Sequence, residues 1–236
     1  MTLALEVDEA ALLAALDHVV DPELDESIVR LGFVEDVDID QRQGKVNIHL
    51  RLPTFWCSPN FAFLMAHDAR QSALQVPGVC QVEIELMDHG QSDEISQGVS
   101  AGREFFEVFP GETDGDLEEL RGVFRGKAFG MRQEQLVRFL LEAGLSPETI
   151  VELRVGDVDE LPPGAAPLAQ TYLERRRRVG LADAGWLITD LDGAPIADYD
   201  LEAYLRRTRR QRVSMTFNAL MCKGLLQTRY GGKEAS

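Results

Sequence analysis

Two kinds of hydrophobic spacing alternate along the first ninety positions, and their order predicts a sequence of elements. From Asp8 onward Leu12, Leu13, Leu16, Val19 and Val20 recur at helical intervals, with Asp8 placed to cap and Pro22 to stop, so a helix is expected over about residues 9–20. Residues 33–39 and 45–52 read as strands joined by Asp40-Gln41-Arg42-Gln43-Gly44, a short loop whose glycine can take a positive φ, hence a hairpin. In the second strand Val46, Ile48, Leu50 and Leu52 share one face, while Lys45, Asn47, His49 and Arg51 share the other, which predicts a solvated His49. Helical spacing returns with Phe61, Leu64, Met65, Ala69 and Val76, ending near Pro77-Gly78. Residues 79–87 alternate again, placing Cys80, Val82, Ile84 and Leu86 inward, so Cys80 is expected in the core. The order helix, strand, strand, helix, strand predicts an α+β fold: a small sheet covered by helices.

Residues 88–116 read as a connector containing one amphipathic piece, Arg103 to Phe109. Phe105, Phe106 and Phe109 are expected to dock it on the first module, because three aromatic rings bury substantial area. The turn-rich string Pro110-Gly111-Glu112-Thr113-Asp114-Gly115-Asp116 marks the boundary. Beyond it the pattern is mainly helical: residues 131–143, a helix started by Ser146-Pro147-Glu148, residues 166–178, 198–212 and 214–227, with a short strand over 186–189. The expected organisation is therefore an α+β domain over 1–95, a connector over 96–116, and a mainly α-helical domain over 117–236.

Charge sharpens that division. The net charge of −16 is unevenly spread: residues 1–110 carry −14 and residues 111–236 only −2, and all four histidines, His18, His49, His67 and His89, fall in the first part. An acidic module repels a phosphate backbone, so nucleic acid is an unfavourable partner for that half. Three widely spaced cysteines do not make a disulfide framework and fit a reducing, cytoplasmic location. The N-terminus lacks a basic patch followed by an apolar run, and the longest stretch free of Asp, Glu, Lys and Arg, Leu52 to His67, has sixteen residues against the ~20 of a spanning helix, so no membrane association is expected.

One cysteine stands out. In Phe55-Trp56-Cys57-Ser58-Pro59-Asn60-Phe61, Ser58 is a suitable N-cap and Pro59 a suitable first helical residue, which puts Cys57 just outside a helix N-terminus where partial positive charge favours thiolate. The flanking aromatic rings are expected to shield a bound metal, and Asp21-Pro22-Glu23 supplies carboxylates from a loop that can meet Cys57 at one end of the sheet. Thr54 adds a hydroxyl there. Cys222, flanked by Leu220, Met221 and Lys223, reads as a packed helix residue. No C-x-x-C or H-x-x-x-H spacing suggests structural zinc, and no phosphate loop, dinucleotide fingerprint or Ser-His-Asp order suggests an enzyme.

As an ordered set, Asp21-Pro22-Glu23, Leu31-Gly32 entering the first strand, Thr54 with Cys57 after the second, and Pro77-Gly78-Val79 entering Val82-Glu83-Ile84-Glu85-Leu86 resemble the SufT and PaaD type of iron-sulfur, or metal-sulfur, cluster assembly domain, from about Leu12 to Asp93. The resemblance implies a non-catalytic maturation factor that delivers iron or iron-sulfur clusters to a client metalloprotein or works with the assembly machinery. It carries function onto Cys57, Glu23 and Asp21 as metal ligands and Thr54 beside the cofactor, with a transient iron or cluster as cargo. Likeness to the PaaD branch implies a multicomponent di-iron monooxygenase as client. Here Ser58 separates Cys57 from Pro59, whereas most relatives place proline directly after the cysteine. A cluster needs about four ligands, mostly thiolates, so the one convincing thiolate must be shared across a homodimer or completed by the client.

The second half offers two arginine runs, Arg175-Arg176-Arg177-Arg178 and Arg206 to Arg212. One reading is a DNA-binding regulatory protein using a helix-turn-helix shape. The stretches 144–158 and 186–193 resemble the catalytic core of tyrosine recombinases, but Ser146 stands where an arginine is expected and no His-x-x-Arg box follows. The preferred reading is a client-recognition domain, with Arg175, Arg176, Arg177 and Arg178 as partner contacts gripping an acidic surface.

Overall fold

A computed structural model of the chain describes residues 6–111 and 117–231. The chain divides into two compact units, Met1–Glu118 together with Thr216–Ser236, and Glu119–Met215. Part of the boundary string, residues 112–116, and the last five residues lie outside the described residues.

The first unit begins with helix α1 (Glu9–Asp17), capped by the Asp8 carboxylate, which accepts from the Ala10 amide. A two-stranded ribbon, β1 (Val20–Asp21) with β2 (Glu26–Ser27), leads to the main sheet. That sheet has the order β3 (Val34–Asp40), β4 (Lys45–Arg51), β5 (Gln81–Met87), antiparallel across the hairpin and parallel between β4 and β5. The parallel pair requires a crossover, which α2 (Pro59–Leu74) provides. At the hairpin Gly44 has φ +61°, and a Cβ there would meet the Gly78 carbonyl at 2.4 Å. Val46, Ile48, Leu50, Val82, Ile84 and Leu86 form the buried face, as the alternation predicts.

The opposite face is a charge ladder rather than open solvent. Lys45 pairs with Glu83, His49 sits between Asp38 and Glu85, and Arg51 pairs with Glu35 and Asp88. A cationic central strand is thus neutralised by acidic neighbours on both sides.

Two expectations change here. Cys80 precedes the first paired residue of β5 and is exposed instead of packed in the core. The connector contains a helix that its composition hides, α3 (Ser92–Ser100), with only Ile95 and Val99 as large buried groups. Its serines explain it: the hydroxyls of Ser96 and Ser100 accept from the Leu86 and Ile84 amides of β5, satisfying that strand's outer edge. The short α4 (Phe105–Val108) follows, and Phe105 and Phe109 dock as expected, with Phe105 edge-on to Phe63 at 5.3 Å. Phe106 remains exposed.

The second unit contains α5 (Glu118–Glu142, from Glu119), α6 (Pro147–Glu152), a 3-10 turn (Val155–Glu160), α7 (Ala166–Arg178) and the first part of α8 (Asp198–Tyr230). Ser146 caps α6 through the Thr149 amide. Where two final helices are expected, α8 runs unbroken, and residues 186–189 contribute only isolated bridges to Arg154 and Pro195. The core gathers Phe129, Leu136, Val137, Leu140, Ile150, Tyr172, Leu187 and Ile188. Through it runs a polar network. Gln133 Nε2 donates to the Thr189 carbonyl (2.8 Å) and Tyr204 hydroxyl (2.7 Å), and its Oε1 accepts from the Thr189 amide (3.0 Å) and lies 2.6 Å from the Tyr172 hydroxyl.

Among the described residues no helix is long and apolar enough to cross a membrane.

Candidate functional site

The site lies in the first unit, where the chain leaves β4 and enters α2. Leu52 and Pro53 are buried, Thr54 to Trp56 turn, and the Cys57 amide donates to the Thr54 carbonyl at 3.4 Å. Ser58 occupies the N-cap position and Pro59 the first turn, as the sequence predicts. Thr54 therefore acts on the cysteine loop through its backbone carbonyl.

A residue to which the sequence assigns no role fixes this loop. His89 is buried, its Nδ1 accepts from the Gln91 amide at 3.1 Å, and its Nε2 lies 2.8 Å from the Cys57 carbonyl. Since Nδ1 is occupied as an acceptor, Nε2 carries the proton and donates to Cys57. The neighbouring Gly90 amide donates to the Phe55 carbonyl at 2.8 Å, so the β5–α3 turn clips the cysteine loop at two carbonyls. Gly90 gives no advance signal of this clip, since a Cβ there would lie 3.4 Å from Phe55, an ordinary van der Waals contact.

Asp21 is buried at 6 % exposure and folds back on its own turn, Oδ1 accepting from the Glu23 and Leu24 amides at 2.8 and 2.9 Å. Burial pushes its carboxyl up from 3.8 to about 6 against those two hydrogen bonds, with the Glu23 charge adding to the rise. Glu23 accepts from the Asn218 side-chain amide at 3.2 Å.

Cys57 departs from expectation in ionisation. Burial pushes its thiol up to about 12, the negative charges of Asp21, Cys222 and Glu23 push in the same direction, and only the Ser58 amide opposes them. The helix N-terminus is present, but desolvation and like charge outweigh it, so the resting group is a thiol rather than the expected thiolate. The charges of Asp21 and Glu23 act on Cys57. The flanking rings do not enclose it: Phe55 is 53 % and Trp56 78 % exposed. Among the described residues, no three His, Cys, Asp or Glu side chains stand together in a way that could hold a metal ion.

The arginine run of α7 also differs from expectation. Arg175 and Arg176 are buried, and Arg176 is spent on the Ala182 carbonyl (3.1 Å), Tyr172 hydroxyl (3.4 Å) and Thr189 hydroxyl (3.0 Å). Arg177 pairs with Asp183 at the surface, and Arg178 is exposed. Two of the four proposed partner contacts are therefore structural, because a run of consecutive helical residues points all round the helix and one side must face the core.

Comparisons with known proteins bear on the segment that carries this site. The family model described as iron-sulfur cluster assembly protein matches residues 9–84. The chain is 33 % identical over 76 residues to the Fe-S protein maturation auxiliary factor YitW of Bacillus subtilis, covering 32 % of this chain and 72 % of that protein. It is 31 % identical over 91 residues to an uncharacterized protein of Methanocaldococcus jannaschii, covering 39 % of this chain and 93 % of the other. To the iron-sulfur cluster carrier protein of Deinococcus radiodurans it is 37 % identical over 76 residues, 32 % of this chain but 21 % of the carrier, so it spans about a fifth of that relative's length. Through its first unit the chain belongs to the iron-sulfur cluster assembly protein family.

Proposed function

We propose that the chain is a non-catalytic maturation factor that holds iron or an iron-sulfur cluster transiently at Cys57, assisted by Glu23 and Asp21, and passes it to a client metalloprotein or to the assembly machinery. The carrying observation is the position of Cys57 at the start of α2, between β4 and the helix, inside the segment that the iron-sulfur cluster assembly family model matches. There burial and the charges of Asp21 and Glu23 oppose ionisation of the thiol, and a cation supplies what they withhold: binding displaces the thiol proton and relieves the repulsion among the carboxylates. Thr54 and His89 hold the loop, and Ser58 offers an amide to the sulfur. A cargo held by so few protein donors leaves positions for the receiving protein. The Bacillus subtilis and Deinococcus radiodurans relatives, a maturation factor and a cluster carrier by name, support the same reading.

The finer assignment is a di-iron multicomponent oxygenase as client in a reducing cytoplasm, with the second unit recognising it through the exposed Arg177, Arg178, Arg206, Arg207, Arg209 and Arg210. The DNA-binding reading loses ground because half of the α7 run is internal. Anaerobic iron-sulfur reconstitution tests the central claim. Wild type should retain iron and sulfide that Cys57→Ala lacks, and equal contents would overturn it.

A further inference from the structure

We propose that the outer face of the last turns of α8 is a self-association surface, on which a second copy of this chain lays the same helix in antiparallel orientation. Such pairing is independent of what Cys57 holds and uses residues far outside the segment, 9–84, that the family model matches.

From Thr216 onward α8 belongs to the first unit, which it grips largely through polar contacts. Asn218 Nδ2 donates to the Glu23 carboxylate at 3.2 Å, Lys223 reaches Glu26 at 2.7 Å, Arg229 donates to the Pro53 carbonyl at 2.9 Å, and Leu226 closes on Gly32, where a Cβ would lie 3.3 Å from its Cδ2. The opposite side is the apolar one. Phe217, Leu220, Met221 and Leu225 are exposed, and their spacing of three and four residues keeps them on one side of the helix. Between Thr216 and Thr228 the sole charged residue, Lys223, is turned onto Glu26, so roughly 18 Å of helix presents no unpaired charge. An ordinary surface helix points its apolar side inward. This one is inverted, and the hydrophobic effect favours covering the side left in water.

Area and shape identify the cover as a second copy. The four side chains leave roughly 400 Å² uncovered, within the range of the largest patches that monomers put to use. Two such patches face to face give an apolar core of about 800 Å², and at the ~65 % apolar share of homodimer interfaces this corresponds to about 1,200 Å² in total, the lower end of specific association. The face is also self-complementary. In the antiparallel register centred between Leu220 and Met221, Leu220 lies against the partner's Met221 and Phe217 against the partner's Gly224. Gly224 is exposed and a Cβ built on it meets nothing within 4 Å, so it forms a notch open to an incoming ring. Each helix thus offers one large knob and one notch, about two turns apart, as a two-fold axis requires. Net charge works the other way: at −16 per chain two copies repel, so the pair is weak and tightens as salt screens the repulsion. Pairing steadies the helix that holds the Glu23 loop and the segment entering Cys57.

Sedimentation equilibrium of the full chain reads the pair directly. Wild type should dimerise with a Kd of about 1–100 µM, tightening roughly tenfold between about 0.05 M and about 0.5 M salt. Leu220→Asp, which sets like charges beside the two-fold axis, should weaken the dimer roughly a hundredfold. Gly224→Ala, which fills the notch while favouring the isolated helix, should weaken it roughly tenfold with no fall in Tm. Phe106→Ala, which removes an exposed ring from α4, should leave the Kd unchanged. All three positions are exposed, so the circular dichroism of each variant should match wild type. A chain still monomeric at about 1 mM, or a dimer that Leu220→Asp leaves intact, overturns the proposal. A dimer that weakens as salt is added is held by charge and overturns it as well. Adsorption of a monomeric wild type to phosphatidylcholine vesicles, lost in Leu220→Asp, overturns it in favour of a lipid surface.

Discussion

The two units bury polar groups in opposite ways. In the second, Gln133, Tyr172, Arg176 and Thr189 answer one another donor for acceptor, with the Tyr204 hydroxyl closing the set. In the first, Asp21, Glu23, Cys57 and Cys222 present groups that are negative or become so, and the thiols stay protonated because burial, and then the charges of Asp21 and Glu23, oppose their ionisation. A matched network contributes specificity to a core, whereas an unmatched cluster of one sign costs stability and is ready for a ligand of the other sign. The contrast separates a structural polar interior from a functional one within a single chain.

The largest effect expected on that contrast comes from Gln133→Leu, which strands the Thr189 amide and carbonyl and loosens two tyrosines. Urea unfolding should show a loss of about 3–5 kcal/mol. Cys57→Ala should change stability by less than about 1 kcal/mol, since it removes a group whose surroundings oppose its charge. Comparable losses in the two variants would erase the distinction.

Asp21 gives the next largest. Its folded value near 6 lies above the ordinary 3.8, so its contribution to stability is fully present below pH 4 and is lost as pH rises through 6. Relative to Asp21→Asn, which still accepts the two loop amides but cannot ionise, wild type should lose about 2.5 kcal/mol between pH 4 and pH 7. Parallel pH profiles for the two proteins would show that the corner does not penalise charge. His89→Leu should follow at about 2 kcal/mol, together with faster alkylation of Cys57 as its loop comes free; an unchanged alkylation rate would remove His89 from the positioning role. Ser96→Ala should cost about 1 kcal/mol through the stranded Leu86 amide, with faster hydrogen exchange at that amide as the local readout.

Much of the first unit is legible in spacing alone. Leu12 and Leu16, the alternation of β4 and β5, and the Ser58-Pro59 start of α2 are local signals, and each appears as expected. Legibility ends where partners are distant or the chemistry is small. α3 carries two large apolar groups and packs through serine hydroxyls, which no hydrophobic period reveals. The Cys57 loop is readable, but its ionisation is not: the helix N-terminus is a local feature, while the burial that outweighs it and the acidic groups that add to it depend on the fold. Arg175 and Arg176 mislead for a related reason, since composition registers four cations and only packing tells which two are internal.

The serine-sealed rim of β5 limits how this sheet could grow. With the Ile84 and Leu86 amides already engaged, strand addition at that side has no free donors at those two positions. The other rim, β3, carries Glu35, Asp36, Asp38 and Asp40, so a second copy laid against it would bring carboxylates face to face. Growth by strand addition is therefore opposed at both rims, leaving the three strands as a finite platform.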